Sequence, residues 1–415
     1  MNELSDFQWL ASAPAAEAWS FCSKLDDFSN ASLSKFGLTQ RQLQVLKTQF
    51  EFAQGASKRK VAEPWNWFWT KTLLEQASDQ ITAEETAKDF PSDAMVIDGC
   101  CGAGVDAVAI ATQLSQEWSL GERLLAIDSS EIACTLTQLN ASRNGFELRP
   151  VAIGFEDAQL RADGWLHLDP DRRVSGRTVD VHCTEPSWLA IAKGIQRAPG
   201  ASIKAAPGFQ PEDDYPWEGC GPPDSRRWIS RDGSVRQQRL YWRIPKWHDA
   251  KRIVSAYRKS TGWHHEVFDS GPTSALVALD LIEQDPLQLS AWSFVADHDP
   301  ALRAAKCVVS LSDRLQLGVL GNEFGYCVGK AIVEHPLLRW YRVLEVMPMD
   351  HKKVRAMSRG LKVGRWELKS RNIDVDLTSW GKQLIVDKDS DVVGWLLLTK
   401  VGKKHVCLVC QEIQE

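Results

Sequence analysis

A chain of 415 residues, 44% hydrophobic and 25% charged, is long enough for two or three hydrophobic cores, and its composition excludes a disordered or membrane-embedded chain. The net charge of −5 and pI near 6.0 give no whole-chain support for nucleic-acid binding, so any such case rests on local patches. No stretch reaches the roughly 18–20 apolar residues of a spanning helix, and MNELSDFQWLASAP lacks the basic start of a signal peptide, so a cytoplasmic protein without a membrane partner is expected.

In chain order, residues 1–90 read as a helical region. Apolar residues fall at helical spacing in FGLTQRQLQVLKTQFEFA and NWFWTKTLLEQAS, and Lys58-Arg59-Lys60 between them reads as a solvated linker. From about 91 to 288 strands and helices alternate, the pattern of a parallel α/β sheet. AMVIDGCC is a strand, GAGVDAVAIATQL a Gly-rich turn opening a helix, and RLLAIDSS a second strand. The helix EIACTLTQLNASRNG closes on Gly145, followed by strands in LRPVAIG and WLHLDP, the helix PSWLAIAKGI and a fifth strand in ASIKAAP. RRWISRDGSVRQQRLYWR reads as a hairpin turning at Asp232-Gly233, and SALVALDLI offers one more strand. Residues 289–415 form a small α+β unit, with strands in YRVLEVMPM, RWELKSR, VVGWLLLTK and KHVCLVCQ and helices from Asp350 and near 376–385.

The ten cysteines are scattered, as expected of reduced, buried thiols. Cys407 and Cys410 make the one C-x-x-C, within an alternating strand; a pair alone cannot complete a tetrahedral zinc site, and no metal is expected. The 18 tryptophans read mainly as core.

The turn Asp98-Gly99-Cys100-Cys101-Gly102-Ala103-Gly104 lets backbone approach a ligand and places free N–H groups at a helix amino terminus. Alone, it is equally compatible with a dinucleotide or with packing. The acid precedes the glycines, however, and there is no G-x-G-x-x-G. This order suits S-adenosylmethionine (SAM), which has no pyrophosphate but carries a sulfonium, an ammonium and a carboxylate. Asp98 can hold the ammonium, with Cys100, Gly102 and Gly104 lining the turn that receives the carboxylate. Asp128, ending the next strand, is placed for the ribose hydroxyls, and Asp157, after the third, for the adenine amino group.

The fourth strand ends in Leu168-Asp169-Pro170-Asp171-Arg172-Arg173, where an open α/β sheet presents its ligand. Methyl transfer from an already activated sulfonium needs chiefly alignment, which can supply roughly 7–11 kcal/mol. Asp169 and the Pro170 carbonyl can accept the N–H groups of an amine nucleophile. Arg172 and Arg173 can grip a phosphate or carboxylate, or else pair with Asp171 and Glu185.

These residues resemble bacterial class I SAM-dependent methyltransferases with a C-terminal THUMP-like domain. Leu74 to Ser78 resembles the family's EQ-S block, which adds Gln76 to the cofactor residues, and Asp98 to Asp106 its Gly-rich turn, with Cys101 in place of a glycine. Leu168 to Arg173 is similar to its L-D-P-A-R-R, Ile203 to Pro207 to its I-K-L-S-P, and Trp228 to Arg239 to its paired late strands. Asp299 to Leu302 and Val343 to Pro348 resemble the openings of its ferredoxin-like (289–342) and THUMP-like (343–415) parts. The resemblance implies a Rossmann-like sheet, SAM as cofactor and RNA as partner, with a base nitrogen of tRNA or rRNA as the expected target. It departs from amino-methyltransferases in lacking an aromatic after Asp169-Pro170, where Trp165 or Trp188 are candidate stacking residues. Lys352, Lys353, Arg355, Arg359, Lys362, Arg365, Lys369 and Arg371, against Glu367 alone, form a basic patch for phosphates. A small-molecule or protein methyltransferase, and a non-catalytic RNA-binding adaptor that retains SAM, are the alternative readings.

Overall fold

The computed structural model describes residues 3–114, 123–171, 173–174, 177–178, 184–209, 219–269, 293–321 and 324–413. The strand expected at SALVALDLI lies outside these residues. The chain divides into two units, the first comprising residues 1–205, 209–225 and 239–248, the second residues 206–208, 226–238 and 249–415.

The first unit opens with helices α1 (Glu3–Leu10), α2 (Ala13–Cys22) and α3 (Gln40–Gln54). A capping box between Thr39 and Gln42 starts α3 and satisfies the end groups that a helix leaves open. Phe7, Leu10, Trp19, Leu46 and Phe50 bury together, and Phe68 and Leu136 complete their core. The next stretch departs from the helical reading. Helix α4 is confined to Lys71–Gln76 and α5 to Gln80–Ala87, while Trp67-Phe68-Trp69 lies outside any helix. Lys60 also departs from its reading as a solvated linker residue, since its ammonium donates to the backbone carbonyls of Glu75 and Ala77.

The α/β portion follows the expected order: β1 (Met95–Asp98), α6 (Val105–Leu114), β2 (Leu124–Asp128), α7 (Glu131–Arg143), β3 (Val151–Ala152) and β4 (Gly164–Leu168). A short hairpin of β5 (Arg173–Val174) and β6 (Arg177–Thr178) precedes α8 (Trp188–Arg197) and β7 (Ala201–Ala205). Strand β3 is only two residues long, shorter than LRPVAIG implied. In the first unit's sheet the order runs β3-β2-β1-β4-β7, and each neighbouring pair is parallel. The chain winds outward from β1 to β3, then returns to the other side of β1 with β4. That reversal opens a crevice beyond the carboxyl ends of β1 and β4. Phe155, Leu166, Leu168, Ile191, Ile195 and Ile203 fill the core beneath it.

The hairpin of β8 (Ser225–Arg231) and β9 (Ser234–Trp242) turns at Asp232-Gly233, both with positive φ (48° and 74°), as the dipeptide indicated. In the second unit β8 pairs in parallel with β10 (Arg252–Arg258), which pairs antiparallel with β11 (Gly262–Phe268). Neither β10 nor β11 is among the strands expected from the sequence.

A seven-stranded sheet follows, built from β12 (Phe294–His298), β13 (Gly318–Val319), β14 (Cys327–Gly329), β15 (Leu338–Pro348), β16 (Arg365–Arg371), β17 (Val393–Val401) and β18 (Lys404–Glu412). Its order is β13-β14-β12-β15-β18-β17-β16. Helices α9 (Pro300–Ala304), α10 (Val308–Arg314), α11 (His351–Gly360) and α12 (Leu377–Gly381) connect the strands. Asp350 caps α11 by accepting the Lys352 and Lys353 N–H groups. Cys407 and Cys410, three residues apart on β18, enter separate cores on opposite faces, Cys407 beside Trp380 and Cys410 beside Trp395. Among the described residues no helix is long and apolar enough to cross a membrane.

Candidate active site

Beyond the carboxyl ends of β1, β2 and β4, the first unit gathers acidic side chains at the reversal of strand order. Asp98 ends β1 fully buried, and neither carboxylate oxygen finds a hydrogen-bond partner among the described residues. Burial pushes its carboxyl well above the ordinary range. Asp106, Asp128 and Asp169 add to the rise, and the nearby Cys100 backbone N–H, short of hydrogen-bond geometry, opposes it. A buried carboxylate without a counter-charge is costly unless a cation arrives.

The turn after Asp98 is built for close approach. Gly102 and Gly104 take φ of +54° and +87°, a region that disfavours a Cβ. A Cβ on Gly104 would lie 3.0 Å from the Thr137 Cα, so this glycine also seats the turn against α7. Thr137 donates its hydroxyl to the Gly102 carbonyl (3.1 Å), and Asn140 donates to that of Ala103 (2.9 Å). Asp128, at the end of β2, accepts from the Gly102 N–H at 3.0 Å and the Ser130 N–H at 2.9 Å. Burial raises its carboxyl and these two donors counter the rise.

Cys100 and Cys101 are held as thiols. Burial raises Cys100 well above its ordinary value, with Asp128, Asp98 and Asp169 adding to it. A hydrogen bond with Cys134 and burial do the same for Cys101.

At the end of β4, Asp169 does not stand alone. Its Oδ2 pairs with the Lys204 ammonium at 2.5 Å, and Lys204 also donates to the Ser78 hydroxyl at 3.2 Å. Gln76 donates to the Asp171 carboxylate at 3.3 Å, and Asp171 exchanges both backbone hydrogen bonds with Glu185. Leu73 approaches within 3.8 Å of where a Gly102 Cβ would stand. The segment from Leu73 to Ser78 thus borders both the Gly-rich turn and the Asp169 strand end, and Lys60 holds its backbone there. One carboxylate oxygen of Asp169 is thus committed to Lys204.

A second charged group underlies the turn. Asp106, at the start of α6, lies 3.5 Å from Arg239 and 3.6 Å from His167. Burial opposes ionisation of Asp106, but His167 and Arg239 outweigh it and hold its carboxyl low. Burial, then the Arg239 charge, lower His167 and keep its ring neutral. Neither Lys204 nor this trio was among the sequence candidates.

The structure therefore brings together Asp98, Cys100, Gly102, Gly104, Asp128 and Asp169, with Gln76 at the rim beside Asp171. Pro170 follows, buried. Asp157 is exposed, in the turn after β3. Arg172 lies outside the described residues, and of Arg173 only the backbone, within β5, is described. Trp188 is not available as a stacking platform, being 8% exposed and packed near Trp242. The Trp165 ring occupies the space above Gly200. Of the basic patch, Lys369 and Arg371 neutralise Asp297 at 2.7 and 2.8 Å, and Arg365 pairs with Glu367 at 3.0 Å. Lys352, Lys353, Arg355, Arg359 and Lys362 remain exposed on and just after α11.

A cationic donor fits this set: an uncompensated buried carboxylate, an acid at the adjoining strand end and a glycine turn that admits close approach. Comparison with known proteins agrees. Residues 338–412 match the family described as THUMP domain-like. Two uncharacterized S-adenosylmethionine-dependent methyltransferases of Mycobacterium tuberculosis, from strains CDC 1551 / Oshkosh and ATCC 25618 / H37Rv, are each 23% identical over 347 residues. Those alignments cover 81% of this chain and 85% of each relative. A crystal structure from Porphyromonas gingivalis W83, provisionally named a methyltransferase, aligns over 100% of both chains with a TM-score of 0.71 at 14% identity, which establishes a shared fold.

Proposed function

We propose that this chain, a member of the class I SAM-dependent methyltransferases that end in a THUMP-like domain, methylates RNA, at a base nitrogen of tRNA or rRNA. The observation that carries the cofactor half is Asp98, a buried carboxylate without a counter-charge at the reversal of strand order. The donor supplies a methyl group activated by its sulfonium. Asp98 takes its ammonium, and the backbone around Gly102 and Gly104 receives its carboxylate. Asp128 keeps lone pairs for the ribose hydroxyls while its donors hold it in place, and Asp157 takes the adenine amino group. Asp169, paired with Lys204 through Oδ2, presents its other oxygen to the N–H groups of the nucleophile, with the Pro170 carbonyl beside it. Gln76 steadies the adjoining Asp171, and Arg172 and Arg173 grip substrate phosphate.

The RNA half rests on the THUMP-like match and on the five exposed cations of the α11 region. A cytoplasmic setting belongs with that substrate. A second reading, a small-molecule or protein substrate, is favoured by the missing aromatic after Pro170 and the burial of Trp188.

Calorimetric titration of SAM, with and without bulk cellular tRNA, tests both halves in wild type, Asp128→Ala and Asp169→Ala. Micromolar SAM binding is expected, lost in the first variant and nearly kept in the second, which loses methyl transfer to RNA. No SAM binding by the wild type would overturn the cofactor assignment. Transfer that survives in Asp169→Ala would remove Asp169 from catalysis.

A further inference from the structure

In the second unit, two histidines and a glutamate converge. His264 and Glu266 alternate on β11 and so share a face, whereas His265 between them turns to the Ser255 hydroxyl at 2.9 Å. His335, just before β15, meets the His264 ring edge-on at 5.3 Å. Glu266 Oε2 lies 3.3 Å from His264 Nε2 and 3.4 Å from His335 Nε2, and one ligand atom from each residue lies within 4.8 Å of the others. Zinc–ligand bonds of about 2.0–2.1 Å, arranged tetrahedrally, separate neighbouring ligand atoms by about 3.3–3.4 Å. Two edges of the trio already have that length.

The surroundings suit a small cation. Arg314 pairs with Glu266 Oε1 at 2.6 Å and donates to the Val267 carbonyl, so the carboxylate is anchored with Oε2 toward the imidazoles. The side chains of His264, Glu266 and His335 are 31%, 17% and 13% exposed, open enough for an ion to enter. We propose that His264, Glu266 and His335 form a binding site for a divalent transition-metal ion of the zinc type, with a fourth position open to water. Binding requires the His335 proton to move to Nδ1, which gives up the hydrogen bond that Nδ1 accepts from the Leu337 N–H at 3.2 Å. That cost and the nearby Arg314 charge set the expected affinity in the micromolar range.

Cobalt(II) is the probe, titrated into chelator-treated, tag-free full-length protein and then displaced by zinc. One ion per chain is expected, with ligand-field bands in the visible and no intense thiolate charge-transfer band. His335→Gln and Glu266→Gln should each weaken binding at least tenfold, and His264→Gln/His335→Gln should abolish it, with SAM affinity unchanged as the check on folding. The single variants keep the test valid should the double variant fail to fold. Absence of binding at 100-fold above the micromolar range, a thiolate band, or single variants that bind as wild type would each overturn the site.

Discussion

Asp98 sets a conflict between folding and binding. Buried beside three other acids, its carboxyl is pushed well above the usual range, so the unliganded protein holds a proton there more tightly than the unfolded chain does. A group raised in this sense costs stability as pH climbs from the ordinary carboxylate range toward the raised value. An ammonium placed against Asp98 needs the ionised form, so binding must expel that proton. SAM affinity should therefore rise with pH through the acid range, by up to about tenfold per unit, and flatten above the raised value. Asp98→Asn should bind SAM about 10–100-fold more weakly at neutral pH, the equivalent of a charge-assisted hydrogen bond of about 1.5–3 kcal/mol. The same variant without ligand should melt no lower than wild type, yet gain less melting temperature from the same added SAM. Calorimetry across a pH series and thermal denaturation read both effects; a flat wild-type pH profile would contradict them.

At the scale of elements, the sequence revealed what local pattern controls. Strands β1, β2, β4 and β7, helices α6 to α8, the Asp232-Gly233 hairpin and strands β15 to β18 were legible because apolar periodicity, caps and turn residues agree there. The acids at the ends of β1, β2 and β4 were legible for the same reason, since a strand end is a place as well as a pattern. Trp67-Phe68-Trp69 was misread because its spacing looks helical, while its backbone is held by distant side-chain amides. Gln49 brackets Trp69 with two hydrogen bonds of 2.8 Å, and Asn140 brackets Phe68 with bonds of 2.8 and 3.0 Å. No local signal announces such partners, and β10 and β11 were lost among polar residues that also find theirs across the chain. Lys204 did leave a signal, a lone cation in an apolar strand that had to be neutralised somewhere. Asn140 also holds the Gly-rich turn through Ala103, so Asn140→Ala strands three backbone groups. A loss of about 2–4 kcal/mol is expected, with weakened SAM binding because the turn loses its brace. Urea denaturation measures the first and calorimetry the second; a variant as stable as wild type would show that water replaces the amide.

For the molecule as a whole, the net charge of −5 hides a local excess of the opposite sign. Lys369 and Arg371 are spent on Asp297 and Arg365 on Glu367, so the remaining exposed cations of the patch are Lys352, Lys353, Arg355, Arg359 and Lys362. If RNA lies along these residues, binding must weaken as salt rises, by a slope of about 0.7 per phosphate engaged for single-stranded RNA. Replacing all five with glutamine should flatten the log–log plot by up to about 3.5 while leaving SAM affinity unchanged. Fluorescence anisotropy of a labelled tRNA at several salt concentrations measures the slope. An unchanged slope would move RNA recognition away from α11.

The protonated thiols of Cys100 and Cys101 have a consequence of a different kind. SAM is an alkylating agent, and under the proposed binding mode it rests against a turn that carries two of the strongest nucleophiles available to a protein. Only the thiolate attacks at an appreciable rate, and burial at Cys100, and the Cys134 hydrogen bond with burial at Cys101, suppress its formation, with Asp98 and Asp128 adding to both. Under that binding mode, the surroundings that receive the cation also hold both thiols protonated, which disfavours self-alkylation during turnover.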